Sequence, residues 1–159
     1  MIHPPPIRED KSKEYALSQE LASKAIDTVR NLMEFLELGP PLIRYGPAGE
    51  VHVDIPLMYN GYALDRLHYD PYTKTLSPKG RPVKAWGLRV SVDEVLDSIK
   101  DCISEFKVVE AVEYREPERA WAVPIAWKLF IVAHIKVSHD GEEIIPDYGL
   151  TEEVRRHVL

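Results

Sequence analysis

The sequence is poor in several features that would place it in a common class of proteins. It contains one cysteine, Cys102, so no disulfide can form within the chain, which fits a reducing compartment. Its amino terminus lacks the apolar core of a secretory signal. The longest apolar window, residues 120–135, is too short for a membrane span and contains Pro124 and Lys128. We therefore expect a soluble cytoplasmic protein with no membrane partner.

Catalytic and cofactor-binding signatures are also missing. The chain has no glycine-rich dinucleotide fingerprint, no P-loop, no nucleophile elbow, no H-E-x-x-H and no C-x-x-C. Cys102 lies at the edge of an apolar helical stripe without an evident cationic neighbour, so we interpret it as a structural buried thiol. The formal charge of −6 argues against non-specific nucleic-acid binding by the whole surface. These absences indicate no enzyme class and leave open whether the protein is an enzyme.

The hydrophobic pattern indicates how the chain is organised. At 159 residues it is long enough for one core, and its composition is that of a globular protein. We predict a mobile proline-rich arm over residues 1–10 and a single domain over residues 11–159. Hairpin turns join most of the expected strands. The predicted class is therefore α+β, with a mainly antiparallel sheet of about six to eight strands in two meanders.

Three helices are expected around this sheet. Apolar residues at helical spacing predict a long amino-terminal helix over Lys11–Leu38, which Gly39 ends. Ser91, followed three residues later by Glu94, is a capping box and predicts a second helix that runs to Phe106. A short carboxyl-terminal helix is expected after residue 150.

The first meander contains the strongest turn signal in the chain. Apolar and polar residues alternate over residues 50–59, and Asn60-Gly61 then predicts a two-residue hairpin turn. On the return strand, residues 62–70, the apolar residues fall out of phase by one. A bulge near Asp65-Arg66 would restore the phase.

The second meander depends on a long alternating stretch. Every odd position from Trp121 to Val137 is apolar, including Leu129, which predicts that these side chains face the core. A single strand of this length would exceed the size of the domain, so we expect it to bend or break near Pro124 or Lys128. Its second half is expected to form a hairpin with the residues after Asp140-Gly141.

Four polar residues on the first hairpin form the clearest candidate for a metal site. Alternation places His52 and Asp54 on the outward face of their strand, and the bulged register places His68 and Asp70 opposite them. Two imidazoles and two carboxylates in one patch could hold a divalent metal. They are equally consistent with two ordinary His–Asp pairs on a wet sheet face. His52 and His68 are also the candidate catalytic acid–base groups, with Asp65 and Tyr62 as more distant candidates.

Charge is distributed unevenly in the middle of the chain. Residues 71–92 hold five basic residues and no acid, whereas residues 93–118 hold nine acids and three basic residues. These blocks are consistent with a solvated surface, with contact between subunits, or with binding of phosphate or, last in order, nucleic acid by the basic loop. Aromatic residues around the loop are typical of hairpin packing and also of a ligand pocket. The candidate ligand-binding residues are Arg66, Tyr69, Lys79 and Arg81.

Two functional hypotheses follow. The first is a non-catalytic protein that acts through self-assembly as a homo-oligomer, or by binding a protein partner, because the apolar arc of the first helix is wider than one sheet contact requires. The second is a small enzyme or binder of an anionic, phosphate-bearing ligand, using the hairpin and basic loop over residues 52–89. In that hypothesis His52 or His68 is the acid–base group, and a divalent metal is a candidate cofactor. Nucleic acid is not an expected partner.

The scarcity of thermolabile residues generates a prediction about stability. The chain has one Gln, two Asn and one Cys, whereas charged residues make up 29% and there are 13 prolines. This bias is typical of thermophiles, and we hypothesise a thermophilic source. Calorimetry should give an unfolding midpoint above the ~45–65 °C of mesophile domains, and a midpoint inside that range would contradict the hypothesis.

Overall fold

Antiparallel strand pairing organises the molecule. The computed structural model describes residues 2–5 and 11–158, and these contain three α-helices and eleven strands. This confirms the predicted α+β class. More strands are present than we expected because six of them have only two or three residues. In chain order the elements are α1 (Lys11–Leu32), β1 (Glu37–Leu38), β2 (Leu42–Tyr45), β3 (Glu50–Tyr59), β4 (Tyr62–Asp70), β5 (Thr75–Ser77), β6 (Ala85–Trp86), α2 (Val92–Ile99), β7 (Lys107–Val108), β8 (Glu113–Arg115), β9 (Ala120–Trp127), β10 (Phe130–Ser138), β11 (Ile144–Ile145) and α3 (Tyr148–Val158).

The strands divide into two sheets, which correspond to the two predicted meanders. In the six-stranded first sheet, β3 pairs with β1, β2, β4 and β6, and β5 extends the sheet beyond β4. In the five-stranded second sheet, β9 pairs with β7, β8 and β10, and β11 forms the far edge. All of these pairs are antiparallel. The two sheets meet where β4 contacts β10.

Two groups of buried apolar residues hold the layers together. The main core joins α1, α2 and both sheets. A smaller cluster packs Leu150 and Val154 of α3 against Leu42 and Ala63 of the first sheet. Because Leu42 is the register partner of Asp54, α3 covers the face of the first sheet that carries the polar patch. Within the described ranges, no helix combines the length and the apolar character needed to cross a bilayer.

The β3–β4 hairpin follows the turn chemistry of the sequence. Asn60 and Gly61 have φ values of 49° and 81°, as a tight turn with two positive φ angles requires. The pairing then shifts: Leu57 lies opposite Asp65, but Met58 lies opposite Ala63. Leu64 is therefore the extra residue of a bulge, one position from the predicted Asp65-Arg66. Beyond the bulge, the strands pair as the phase of the apolar residues predicted.

The long alternating stretch is a hairpin and not a single strand. The chain turns at Lys128, whose φ is 56°, and Leu129 at the tip is 100% exposed. The predicted break near Lys128 is confirmed. The prediction that Leu129 faces the core is wrong, because a turn residue between two paired strands projects into solvent. The two halves also pair as expected, with β9 joined to β7 and β8, and with Val137 of β10 opposite Ile144.

Helices α1 and α2 both end earlier than their apolar patterns predicted. The α1 helix stops at Leu32, and after a 3₁₀ turn the chain extends so that Glu37 and Leu38 pair with β3. Sheet pairing thus overrides helical periodicity in this segment. The α2 helix stops at Ile99 and a 3₁₀ turn follows, although the Ser91 hydroxyl caps its start by accepting a 3.1 Å bond from the Glu94 amide. The predicted arm over residues 1–10 lies outside the described residues, apart from 2–5, which are exposed.

The hairpin geometry predicts unequal costs for two similar truncations. Leu129→Ala should change the free energy of unfolding by less than ~0.5 kcal/mol, because the side chain is already in solvent. Ile135→Ala should cost about 2–5 kcal/mol, because Ile135 is fully buried and its loss leaves a cavity. Urea denaturation of both variants measures the difference, and equal costs would contradict the turn at Lys128–Leu129.

Candidate metal centre

Strand alternation and register bring two histidines onto one carboxylate. His52 and Asp54 lie on the same face of β3, and Asp54 is paired with His68 of β4. Asp54 Oδ1 lies 2.9 Å from His68 Nδ1 and 3.2 Å from His52 Nε2. The two imidazole rings are 6.4 Å apart between centroids. A single carboxylate oxygen thus sits between two imidazoles.

Asp54 is buried and charged. It is only 5% exposed, and its second oxygen, Oδ2, lies 3.4 Å from Arg66 Nη1. Burial acts to raise the pKa of Asp54, but the hydrogen bond from His68 and the charges of His52, His68 and Arg66 outweigh it. The net pKa of Asp54 lies below its ordinary value. The group is therefore a carboxylate at neutral pH, although the first sheet was expected to present it to solvent.

Helix α3 supplies the covering residue. Glu153 Oε2 lies 2.5 Å from Arg66 Nη2, and the Glu153 carboxylate also pairs with Arg44 of β2. Arg44 is the register partner of His52, so both arginines belong to the same sheet face. The Asp54 and Glu153 carboxylates therefore hold Arg66 from two sides, and α3 closes one side of the site.

Ser77 adds an unpartnered polar atom beside this cluster. It is the register partner of His68 across β4 and β5, so the two side chains share a face. Ser77 is 6% exposed, and its buried hydroxyl oxygen has no hydrogen-bond partner among the residues that the structure describes. Leaving a buried hydroxyl unpaired costs about 1–3 kcal/mol. The face thus carries a donor and acceptor that a bound ion, its water or another small ligand would satisfy.

The donor atoms of His52, Asp54 and His68 all lie within 4.8 Å of one another. Ligand atoms at ~2.1 Å around a tetrahedral zinc ion are about 3.4 Å apart. Small rotations of the imidazoles would therefore close the set around one ion. Two imidazoles and one carboxylate suit zinc and other divalent transition metals.

Asp70, the fourth predicted ligand, does not join this group. Its Oδ1 accepts a 2.8 Å bond from the backbone amide of Tyr72 in the turn that follows β4. The side chain therefore stabilises the β4–β5 turn. Of the four residues predicted from alternation, the structure brings three together.

The predicted ligand-binding residues lie in four different surroundings. Arg66 belongs to the candidate metal centre, because its guanidinium contacts Asp54. Tyr69 is 1% exposed and packs in the main core. Lys79 Nζ lies 2.7 Å from Asp65 Oδ1 and does not contact the group of His52, Asp54 and His68. Arg81 is exposed. The structure thus does not gather these four residues into one pocket.

Sequence reasoning missed three members of the centre, namely Arg44, Ser77 and Glu153. Alternation could have placed Arg44 and Ser77 on this face if the registers of β2 and β5 had been known. Glu153 reaches the face only because α3 docks there, and no local pattern encodes that contact. No family model, curated protein or solved structure matches this chain.

The lowered pKa of Asp54 predicts a specific pH dependence of stability. A carboxylate with a depressed folded-state pKa contributes stability above its unfolded value, near pH 4, and this is lost as the pH falls through the folded value. Asp54→Asn should be about 1–3 kcal/mol less stable at pH 6. Its stability should also fall less steeply than that of the wild type below about pH 4.

Urea denaturation at a series of pH values measures both effects. Asp97→Asn is the control, because the Asp97 side chain is 78% exposed and its change should stay within ~0.5 kcal/mol at pH 6. If the free energy of unfolding fell equally steeply below about pH 4 in the wild type and in Asp54→Asn, the lowered pKa of Asp54 would be contradicted.

Proposed function

We propose that this chain is a divalent-metal-binding protein whose ligands are His52, Asp54 and His68. The observation that carries the proposal is the convergence of their donor atoms within 4.8 Å. The unpartnered hydroxyl of Ser77 on the same sheet face supports it. Zinc is the expected ion and nickel the next, because two imidazoles and a carboxylate form a borderline donor set.

The protonation state of Asp54 favours metal binding. Metal ligands must be deprotonated, so a carboxyl that is already ionised at neutral pH has no proton to release. His52 Nε2 and His68 Nδ1 are the imidazole nitrogens nearest Asp54 Oδ1. To bind a shared ion, each of these two nitrogens would have to be unprotonated, so that its lone pair coordinates the ion. The hairpin between β3 and β4 holds these groups on paired strands, which keeps the ligands in place before the ion arrives.

Arg66 and Glu153 have the properties of outer-sphere residues. Arg66 contacts Asp54 Oδ2 at 3.4 Å, which leaves Oδ1 as the oxygen directed at the histidines. Groups that orient a ligating carboxylate in this way tune metal affinity. Glu153, 2.5 Å from the same guanidinium, offsets the repulsion between Arg66 and a bound cation.

Three protein ligands would leave coordination positions free. The side chain of His52 is 26% exposed, whereas that of His68 is 12% exposed, so solvent reaches the site from the His52 side. A metal in this position supplies a Lewis acid for water or a small anion. The proposal therefore extends the second hypothesis from the sequence, in which an anionic ligand uses the first hairpin and a divalent metal.

Self-assembly, the first hypothesis from the sequence, stays a prediction with weaker support. The basic residues 71–92 and the acidic residues 93–118 suggested a contact between subunits. They already contact each other within one chain, since Lys74 Nζ lies 2.7 Å from Glu94 Oε1. The wide apolar arc of α1 is also largely used internally, because Ala25, Val29 and Leu32 are buried in the main core.

Metal content tests the proposed function directly. Protein purified without an affinity tag should contain zinc or nickel by elemental analysis, and His52→Ala and His68→Ala should lose it. His157→Ala is the matched control, since His157 is an exposed histidine in α3, and it should keep the wild-type content. Added Zn²⁺ at 100 times its dissociation constant should stabilise the wild type by about 2.7 kcal/mol, which appears as a rise in the melting temperature.

Two results would contradict the proposal. One is protein without metal whose melting temperature does not respond to either ion. The other is metal binding that survives in His68→Ala. Either result would favour ordinary His–Asp pairs within a structural polar network.

A further inference from the structure

A polar cavity lies on the other side of β4 from the candidate metal centre. Arg66 contacts α3, whereas its neighbour Asp65 points toward β10, as expected for successive residues of a strand. The cavity at this junction has a volume of about 360 Å³. Its titratable walls are Asp65, Lys79, Arg115, Glu118, His134, Lys136 and Asp147.

Asp65 fixes the geometry of the cavity. Its Oδ2 accepts a 2.7 Å bond from the backbone amide of His134, and its Oδ1 lies 2.7 Å from Lys79 Nζ. The backbone amide of Lys79 in turn donates to the Ile131 carbonyl of β10 at 2.8 Å. One carboxylate therefore ties the first sheet, the following loop and the second sheet together around the cavity.

The acidic groups of the cavity are already engaged. Asp65 uses both oxygens, the Glu118 carboxylate pairs with Lys136, and Asp147 Oδ1 accepts a 2.9 Å bond from the Leu150 amide. The Arg115 side chain, in contrast, has no such polar partner among the described residues. Within the part of the chain that the structure describes, its half-buried guanidinium makes no hydrogen bond and no ion pair. The Arg115 guanidinium therefore brings to the cavity N–H donors that no described protein group uses.

We propose that this cavity binds the phosphate group of a small ligand. The planar guanidinium of Arg115 presents parallel N–H donors that match two oxygens of a tetrahedral oxyanion. Lys79 and Lys136, which pair with Asp65 and Glu118, also line the cavity, as does His134. Lys79 was predicted from the sequence to bind such a ligand, whereas Arg115, His134 and Lys136 were not.

The electrostatic surroundings of His134 agree with this assignment. Burial lowers the pKa of His134, and the positive charges of Arg115, Lys79 and Lys136 lower it further, opposed by the carboxylate of Asp65. Glu118 and Asp147 are the other charged groups that line the cavity. Among these charges, that of Arg115 acts most strongly on the imidazole, which places the Arg115 guanidinium near His134.

An adjoining cavity leaves room for the rest of a phosphate ester. It has a volume of about 490 Å³ and shares Leu64 and Pro146 with the phosphate cavity. Its walls include Tyr59, Tyr62 and Tyr148, of which the last two are in edge-to-face contact with centroids 6.5 Å apart. Aromatic walls next to an anion site suit a ligand with a flat ring. The phosphate group itself could come from such an ester or from free phosphate.

Calorimetric titration with inorganic phosphate tests the site, with chloride at matched ionic strength as the blank. EDTA is present throughout, so that no ion at His52, Asp54 and His68 can recruit the phosphate. The wild type should bind, and Arg115→Met should weaken binding by about tenfold or more, since a hydrogen bond to a charged group is lost. The proton signals of the His134 imidazole should shift during the titration.

Arg81→Met is the matched control, because it removes an exposed arginine of the basic loop and should leave phosphate affinity unchanged. Arg115→Met breaks no hydrogen bond or ion pair among the described residues, so it should fold, and its melting temperature without phosphate checks this. Absence of phosphate binding in the wild type, or equal losses in both variants, would overturn the proposal.

AMP serves as the second probe and separates the two sources of phosphate. Tighter binding of AMP than of inorganic phosphate, reduced in Tyr62→Ala, would support an ester. Equal or weaker binding of AMP, still lost in Arg115→Met, would support free phosphate. Failure of metal binding leaves both results intact, because the titration is made without metal.

Discussion

The register between β3 and β4 is the constraint on which both candidate sites depend. A slip of one residue in an antiparallel pair moves every side chain to the opposite face. Here the Asn60-Gly61 turn sets the pairing at the tip, and the bulge at Leu64 shifts it by one before Asp65. Without that extra residue, His68 would leave the face of Asp54 and would point into the core. The grouping of His52, Asp54 and His68 thus follows from one inserted residue near a tight turn.

The same bulge places Asp54 and Asp65 in different surroundings. Asp54 lies under α3, where two imidazoles and a guanidinium compensate its burial. Asp65 instead accepts from the His134 amide and from Lys79, so its charge joins the two sheets. A buried carboxylate without such partners would be costly, because desolvation of an ion is expensive. Both oxygens of each aspartate therefore have polar partners. Of the two, Asp54 is the one whose partners are imidazoles, and these could coordinate a metal ion together with the carboxylate.

The sequence predicted the parts of the fold that local chemistry determines. The Asn60-Gly61 turn, the bulge and the pairing of Asp54 with His68 follow from backbone preferences and apolar phase. Leu129 shows why the second meander was harder to read. The two-residue turn at Lys128–Leu129 changes the parity of the inward positions, and the register shift between Ile131 and Ala133 restores it. The two changes cancel, so the odd positions remain apolar on both sides of a turn that contains neither glycine nor asparagine.

Docking of distant elements explains most of what the sequence did not reveal at the sites. Glu153 reaches Arg66 across 87 positions, and His134 meets Asp65 across 69. Both contacts depend on how a helix or a second sheet packs, which residue spacing does not encode. Local rules are also broken where these elements meet, since the hydroxyl of Ser77 is buried without a partner. Proteins tend to retain such costs at functional sites. An alanine at position 77 would avoid this cost on a purely structural face, so the buried hydroxyl favours a ligand beside His68.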